Sequence, residues 1–357
     1  MREQFMAERN YSNILVVAPS WIGDMVMAQS LLIRLKEMYP GARITVFAPS
    51  WCLSLLERMP QIDETVPNPF GHGQLRIMDR LKTASELRTK NFDLALVLPH
   101  SIKSAMIPFF ARIPVRRGWL GEQRYVLLNQ RYRDKRPLPL LVEQYNALAF
   151  DPDGFTNDTV RIFPYPALEV RRENIPAILE KFHLPLSDNV LGLCPGAEYG
   201  PAKRWPTSYF AKAAASWIER GGSVHIFGGP KDLPLAEEIL GFIDEKFKRY
   251  CHILAGKTTL PEVVDLLSGC RGVITNDSGL MHVSAAAGVP VVAVYGSSTT
   301  NYTPPLSKKA KALFLKDLAC RPCFKRTCPL QHTRCLKEIT PEMVIRELDI
   351  LLTAVGE

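Results

Sequence analysis

Residues 272–296 read "GVITNDSGLMHVSAAAGVPVVAVYG": an apolar run, a polar Asn-Asp-Ser-Gly turn, a small-residue helical stretch, then a second apolar run rich in valine. Two β-branched runs separated by one helix length predict a strand–helix–strand unit with parallel strands. Near-continuous apolar strands are those of a sheet buried on both faces. Asp277, Ser278 and His282 fall within six positions, which raises the alternatives of a hydrolase cluster and a phosphate-binding turn. A nucleophilic serine on this kind of sheet sits in Gly-x-Ser-x-Gly. Here the order is Asn276-Asp277-Ser278-Gly279-Leu280, with no glycine two residues before the serine. Asp and Ser are ordinary helix caps, and a helix start leaves backbone N–H donors for an anion. A diphosphate turn is the better reading.

The same pattern extends outward in both directions. Strands are predicted at Asn13–Ala18, Ala42–Ala48 and Phe92–Leu98 in the first half. The second half offers Asn189–Cys194, Ser223–Phe227, His252–Ala255, Gly272–Thr275 and Val291–Tyr295. Helical periods lie between them, at Ala28–Met38, Tyr209–Arg220 and Pro261–Ser268, with a closing helix at Pro341–Leu352. Strands alternating with helices predict an α/β chain with parallel sheets covered by helices on both faces. The proline-rich, polar segment 151–176 breaks the pattern and reads as the linker between two Rossmann-like halves.

A length of 357 residues suits two such domains, and 46% hydrophobic with 22% charged residues is a globular composition. No apolar run approaches the roughly 18 residues that span a bilayer. The start, with Glu3 and Glu8 ahead of a short apolar run, reads as leading into a buried first strand rather than as a signal peptide. We therefore expect a cytoplasmic protein.

The formal charge of +8 is uneven: Arg112 to Arg136 holds eight Arg or Lys against Glu122 and Asp134, and a second basic stretch runs from Lys308 to Lys337. A solvated face, an anionic substrate and an anionic membrane surface all fit such a stretch. Nucleic acid ranks last, since neither a zinc finger nor an RNA-binding aromatic signature is present. Cys320, Cys323, Cys328 and Cys335 form C-x2-C-x4-C-x6-C. Four thiols so close can hold zinc or an iron–sulfur cluster, but the later spacings are not those of a standard zinc finger. Reduced or partly disulfide-bonded loop thiols are the alternative. Cys52, Cys194, Cys251 and Cys270 read as reduced core residues.

Ligands of open parallel sheets bind beyond the carboxyl ends of the strands, so the turns there carry the chemistry. In "LVVAPSWIGDMVMAQSLLIRL" (15–35), Ser20, Trp21, Gly23 and Asp24 follow the first strand. Asp24 is either a helix cap or a carboxylate able to take a proton from a hydroxyl. In "LGLCPGAEYGPAKRWPTSYFAKAAASWI" (191–218), Gly196 and Lys203 precede a helix whose first turn begins near Pro206. That helix start with Lys203 is an anion site. The loop is neither a Walker A loop nor a dinucleotide Gly-x-Gly-x-x-Gly fingerprint. After the strand at 223–227, Asp232 or Glu237 is placed either to hydrogen-bond a ribose or to pair with Lys231.

Together the stretches "APSWIGDMVMAQSL", "FAPSWCLSLLERMP", "GHGQLR", "VLPHSIKSAMIPFFARIPVRRGW", "PGAEYGPAKRWP" and "NDSGLMHVSAAAGVPVVAVYG" make the chain resemble the ADP-heptose:lipopolysaccharide heptosyltransferases of glycosyltransferase family 9, its type II members most closely. The resemblance implies a GT-B fold. Its two facing Rossmann-like domains would be an acceptor-binding one at 1–165 and an ADP-heptose-binding one at 166–340, with the helix of 341–357 returning to the first. It also implies inverting transfer of L-glycero-D-manno-heptose from ADP-heptose to the first heptose of the lipopolysaccharide inner core, on heptosyl-Kdo2-lipid A at the inner membrane. A type I enzyme, or another family member acting at a different core position, is the alternative.

By the same resemblance Asp24 matches the general base and Lys203 the cation on the leaving diphosphate. Asp277, Ser278, Gly279 and His282 match the nucleotide-binding turn, joined by Gly196, while Asp232 is the nearest counterpart of the ribose carboxylate. Ser20, Trp21 and Gly23 join Lys103, Arg117 and Arg124 as acceptor candidates, since arginine suits carboxylates and phosphates. We expect no metal or other cofactor to be required, no Asp-x-Asp metal triplet being present outside the linker. A monomer with no nucleic-acid partner is expected.

Overall fold

The computed structural model describes residues 10–71 and 73–356. Glu3, Glu8 and His72 of the quoted stretches lie outside the described residues. The chain forms two compact units, residues 1–20 with 27–164 and residues 21–26 with 165–357.

The first unit contains β1 (Asn13–Val17), β2 (Arg43–Pro49), β3 (Glu64–Asn68), β4 (Leu94–Val97), β5 (Val115–Trp119) and β6 (Gln130–Tyr132). They make one parallel sheet in the order β3-β2-β1-β4-β5-β6. The second unit repeats this with β7 (Val190–Cys194), β8 (Ser223–Ile226), β9 (Cys251–Ile253), β10 (Gly272–Asn276), β11 (Val291–Val294) and β12 (Ala310–Leu313), in the order β12-β11-β10-β7-β8-β9. All strand pairs in it are parallel. Two such α/β sheets in one chain make the GT-B fold.

The central strands are buried at every position bar Asn13, as doubly covered sheets require. The helices that matter below are α1 (Ile22–Met38), α2 (Ile77–Arg88), α3 (Ile102–Phe110), α4 (Thr207–Glu219), α5 (Leu260–Ser268), α6 (Gly279–Ala286) and α7 (Pro341–Gly356). Leu15, Val17, Ala95 and Val97 anchor one core, and Leu193, Ile274, Val292 and Val294 another with Trp205, Phe210 and Trp217.

The structure adds to the sequence reading in three places. The first helix begins at Ile22 rather than Ala28, so Gly23 and Asp24 belong to its first turn. The closing helix α7 packs on α4 and on β10–β12 of the second unit, where Val344 and Leu348 join the core. The strand β5, "VRRGW", carries two arginines and was hidden by the charge reading.

Candidate functional site

In each sheet the order reverses beside the first strand of the unit, between β1 and β4 and between β7 and β10. That reversal separates the loops on either side and opens a crevice at the strand ends. In the second unit the two loops bordering it are 195–205 and the turn at 277–279.

Asn276, the last residue of β10, ties them together. Its Oδ1 accepts from the Trp205 N–H at 2.9 Å, and its Nδ2 donates to the Pro195 carbonyl at 2.6 Å. Both ends of the loop are thereby fixed, and Lys203, in the short turn Pro201–Lys203, is brought over Asp277. Lys203 Nζ donates to Asp277 Oδ2 at 2.5 Å and lies 5.2 Å from the centre of the Tyr199 ring. The Ser298 hydroxyl donates to the same carboxylate oxygen at 2.5 Å. Arg321, from the cysteine-rich loop, donates to the carbonyls of Gly296 and Ser298 at 2.9 Å each and so braces the 296–298 turn.

Ser278 is the cap residue of α6, yet its side chain makes no capping bond, and its buried Oγ has no hydrogen-bond partner. The Ser297 hydroxyl is likewise buried and unpartnered. An unmet buried hydroxyl costs about 1–3 kcal/mol. The Ser278 hydroxyl, at a helix start, is a donor available to an anion's oxygens.

Segment 21–26 meets the first turn of α6 here. A Cβ on Gly23 would lie 2.7 Å from His282 Cδ2, and one on Gly279 would lie 3.0 Å from Ile22 Cβ. Only glycine at both positions lets the two helix starts come this close. His282 is buried, and burial pushes its imidazole down to about 4, so it is neutral at pH 7. Asp24 is part-buried; burial raises its carboxyl to about 6, nearby Asp277 adds to the rise, and Lys203 opposes it. The phenol of Tyr302 is raised by burial and then by the Asp24 charge, which makes it a neighbour of that carboxylate.

Asp232 ends the turn Pro230–Asp232 and accepts from the Gly229 N–H at 2.9 Å. Its carboxyl occupies the space that a side chain on Gly196 would need, 2.5 Å from such a Cβ. Lys231 pairs with Glu198 at 2.8 Å, not with Asp232. Asp24, Gly23, Lys203, Asp277, Ser278, Gly279 and His282 are thus brought together, with Asp232 against Gly196 at the next strand end.

The acceptor candidates divide. Trp21 is exposed, Ser20 is exposed and Lys103 is half-buried. Arg117 and Arg124 are corrections, being 0% and 1% exposed. Arg117 donates to the Leu148 and Ala149 carbonyls at 3.0 Å each, to Gln130 at 2.7 Å, and pairs with Asp151. Arg124 donates to carbonyls of Trp119, Pro99 and Ser101. Both guanidiniums hold loops together and have no face left for a ligand.

Cys320, Cys323, Cys328 and Cys335 are free thiols that border one small cavity with Arg321 and His332. Among the described residues, no three His, Cys, Asp or Glu side chains are gathered to hold a metal ion.

Asn276, Ser298, Arg321 and Tyr302 were not found by sequence reasoning. Asn276 stood inside the quoted turn and reads as a cap neighbour. Arg321 and Ser298 act through backbone carbonyls and a shared carboxylate, which no spacing reveals.

Comparison with known proteins agrees with this geometry. The model for "Glycosyltransferase family 9 (heptosyltransferase)" matches residues 80–334. Lipopolysaccharide heptosyltransferase 2 of Escherichia coli (strain K12) is 45% identical over 342 residues, covering 95% of this chain and 98% of that protein. Lipooligosaccharide heptosyltransferase 2 of Haemophilus ducreyi is 44% identical over 345 residues, covering 95% and 99%. The solved structure of E. coli ADP-heptose lps heptosyltransferase II superposes with a TM-score of 0.87 at 42% identity, covering 97% of this chain and all of that one. With its family motif, near full-length relatives and two parallel sheets all in agreement, the chain belongs to glycosyltransferase family 9, the heptosyltransferases.

Proposed function

We propose that this protein transfers L-glycero-D-manno-heptose from ADP-heptose to the first heptose of the lipopolysaccharide inner core, with inversion at the anomeric carbon. The observation that carries the mechanism is the placement of Asp24 in the first turn of α1, within electrostatic range of the Lys203–Asp277 pair. Inverting transfer needs a base on the acceptor side and positive potential on the leaving side, and those two needs are supplied a short distance apart.

Asp24 accepts the proton of the acceptor hydroxyl as that oxygen attacks the anomeric carbon. A positioned base of this kind contributes about 10²–10⁴-fold. The bond to the ADP oxygen breaks on the opposite face of the sugar. The charge that develops on the diphosphate is met by Lys203, the first N–H groups of α6 and the hydroxyl of Ser278. Asp277 holds Lys203 in place. Neutral His282 packs under Gly23 and fixes the spacing between base and donors. Asp232, at the next strand end, is the ribose carboxylate in this reading.

These groups account for the charge movement with side chains and N–H groups alone, so turnover is expected to be independent of added metal. The acceptor in this reading is a lipid of the inner membrane, and the protein is expected to reach it from the cytoplasmic face. Among the described residues no helix is long and apolar enough to cross a membrane. The protein is expected to act as a monomer.

Asp24→Asn tests the role of the base. ADP release with the mono-heptosylated acceptor should fall at least about a hundredfold, while ADP-heptose affinity in calorimetry stays near that of the unaltered protein. Turnover within a few-fold of normal would remove Asp24 from the mechanism.

A further inference from the structure

Among the described residues of the first unit, large apolar side chains are exposed together at one end of the sheet. Leu75, Ile77 and Met78 precede and open α2, Ile102 opens α3, and Tyr125 and Val126 follow β5. Their exposures run from 40% at Ile102 to 76% at Met78 and 75% at Val126. All stand beyond the carboxyl ends of β3, β4 and β5. Single exposed apolar residues are ordinary, whereas a concentrated set marks an interaction surface.

These tips are held rigidly. Buried Arg80 donates to the carbonyls of Leu75 at 2.6 Å, Gln74 at 3.0 Å and Lys103 at 3.0 Å, which joins the start of α2 to the start of α3. The Ile102 N–H donates to Glu122 at 2.8 Å. Arg124 joins the α3 start to the loop after β5 through the Ser101 and Trp119 carbonyls. Arg131 donates to the Tyr125 carbonyl at 2.6 Å. Buried Arg80 and Arg124, together with part-buried Arg131, thus fix the segments that carry the exposed apolar side chains.

The flanking charge is net positive, although the Glu122 carboxylate lies among these residues. Arg76 is paired with Asp79, but among the described residues Lys103, Arg131 and Arg133 make no ion pair, and Lys135 meets His100 rather than a carboxylate. We propose that this apolar rim with its cationic flank is the surface by which the protein rests on an anionic bilayer, Met78 and Val126 entering the headgroup boundary. Shallow apolar insertion and attraction to anionic lipid are each weak and act together. The tips are separate projections rather than a groove, which suits a deformable lipid surface better than a folded partner. The proposal rests on the lipid-acceptor reading above and names the surface through which such an acceptor is reached.

The test is co-sedimentation of the full protein with vesicles of phosphatidylglycerol and phosphatidylethanolamine, or of phosphatidylcholine alone. Binding is expected to the first, weaker binding to the second, and a fall with added salt. The double variant Met78→Asp, Val126→Asp should bind the anionic vesicles at least about tenfold more weakly, with an unchanged melting temperature. Its turnover on a de-acylated, water-soluble acceptor should be unchanged. Equal partitioning of variant and unaltered protein would overturn the proposal, as would failure of the unaltered protein to bind anionic vesicles. So would light scattering that shows a dimer dissociated by the double variant. Absence of turnover on the soluble acceptor by the unaltered protein, with vesicle binding intact, would refute the transferase reading and leave the membrane surface standing.

Discussion

Asp24 carries opposite consequences for activity and for stability. A carboxyl raised to about 6 is a stronger base than an ordinary aspartate and is still ionised at pH 7. Only the ionised form accepts a proton, so kcat/KM should be full above pH 6 and fall about tenfold per pH unit below it. A profile flat down to pH 5 would contradict this. The folded-state pKa lies above the ordinary 3.8, so the favourable, neutral state is populated at low pH. The stability it contributes is lost as pH rises through about 6. At pH 8 the ionised carboxylate therefore costs the fold about 3 kcal/mol, and Asp24→Asn should melt at a higher temperature than the unaltered protein while turning over far more slowly. In the proposed reaction Lys203 works on the leaving-group side. Lys203→Ala removes a charge-assisted contact and should weaken ADP binding about 10–100-fold in calorimetry. Unchanged ADP affinity would take Lys203 out of the diphosphate site.

At the scale of elements, much of the architecture was legible because apolar strands covered on both faces write themselves as continuous runs. All eight strands read from the sequence exist, shifted by no more than two residues at either end. Those not read were β3, β5, β6 and β12, which are sheet edges or, in β5, a buried strand containing Arg116 and Arg117. A buried arginine saturated by backbone carbonyls is indistinguishable in sequence from one on a basic surface, which is why Arg117 and Arg124 were read as ligands. Arg117→Met should destabilise the fold by about 3 kcal/mol or more, because buried carbonyls and Asp151 lose their donor. The acceptor KM of the protein that still folds should not change. A raised KM with unaltered stability would restore the ligand role.

The site's turns were legible as sequence, but the meeting of two helix starts was not, since it depends on glycines 256 positions apart. Gly23→Ala would force its Cβ against the buried His282 ring. It should cost about 1–3 kcal/mol of stability and weaken ADP-heptose binding by displacing α6. Full stability and affinity in that variant would show that the close approach carries no weight.

At the scale of the whole molecule, one parallel-sheet design is used twice, with the reactive residues at the reversal of strand order. The family resemblance carried the fold and the reaction class, and in the closing helix Val344 and Leu348 join the second unit's core. If the charge movement is met by Lys203 and the α6 donors, excess EDTA should leave turnover unchanged; loss restored by a divalent ion would overturn that part. The most direct measurement of the central claim is ADP release from ADP-heptose by the purified protein, with Kdo2-lipid A and its mono-heptosylated form as separate acceptors. The account predicts release with the mono-heptosylated acceptor alone. Release with bare Kdo2-lipid A, or with neither, would contradict it.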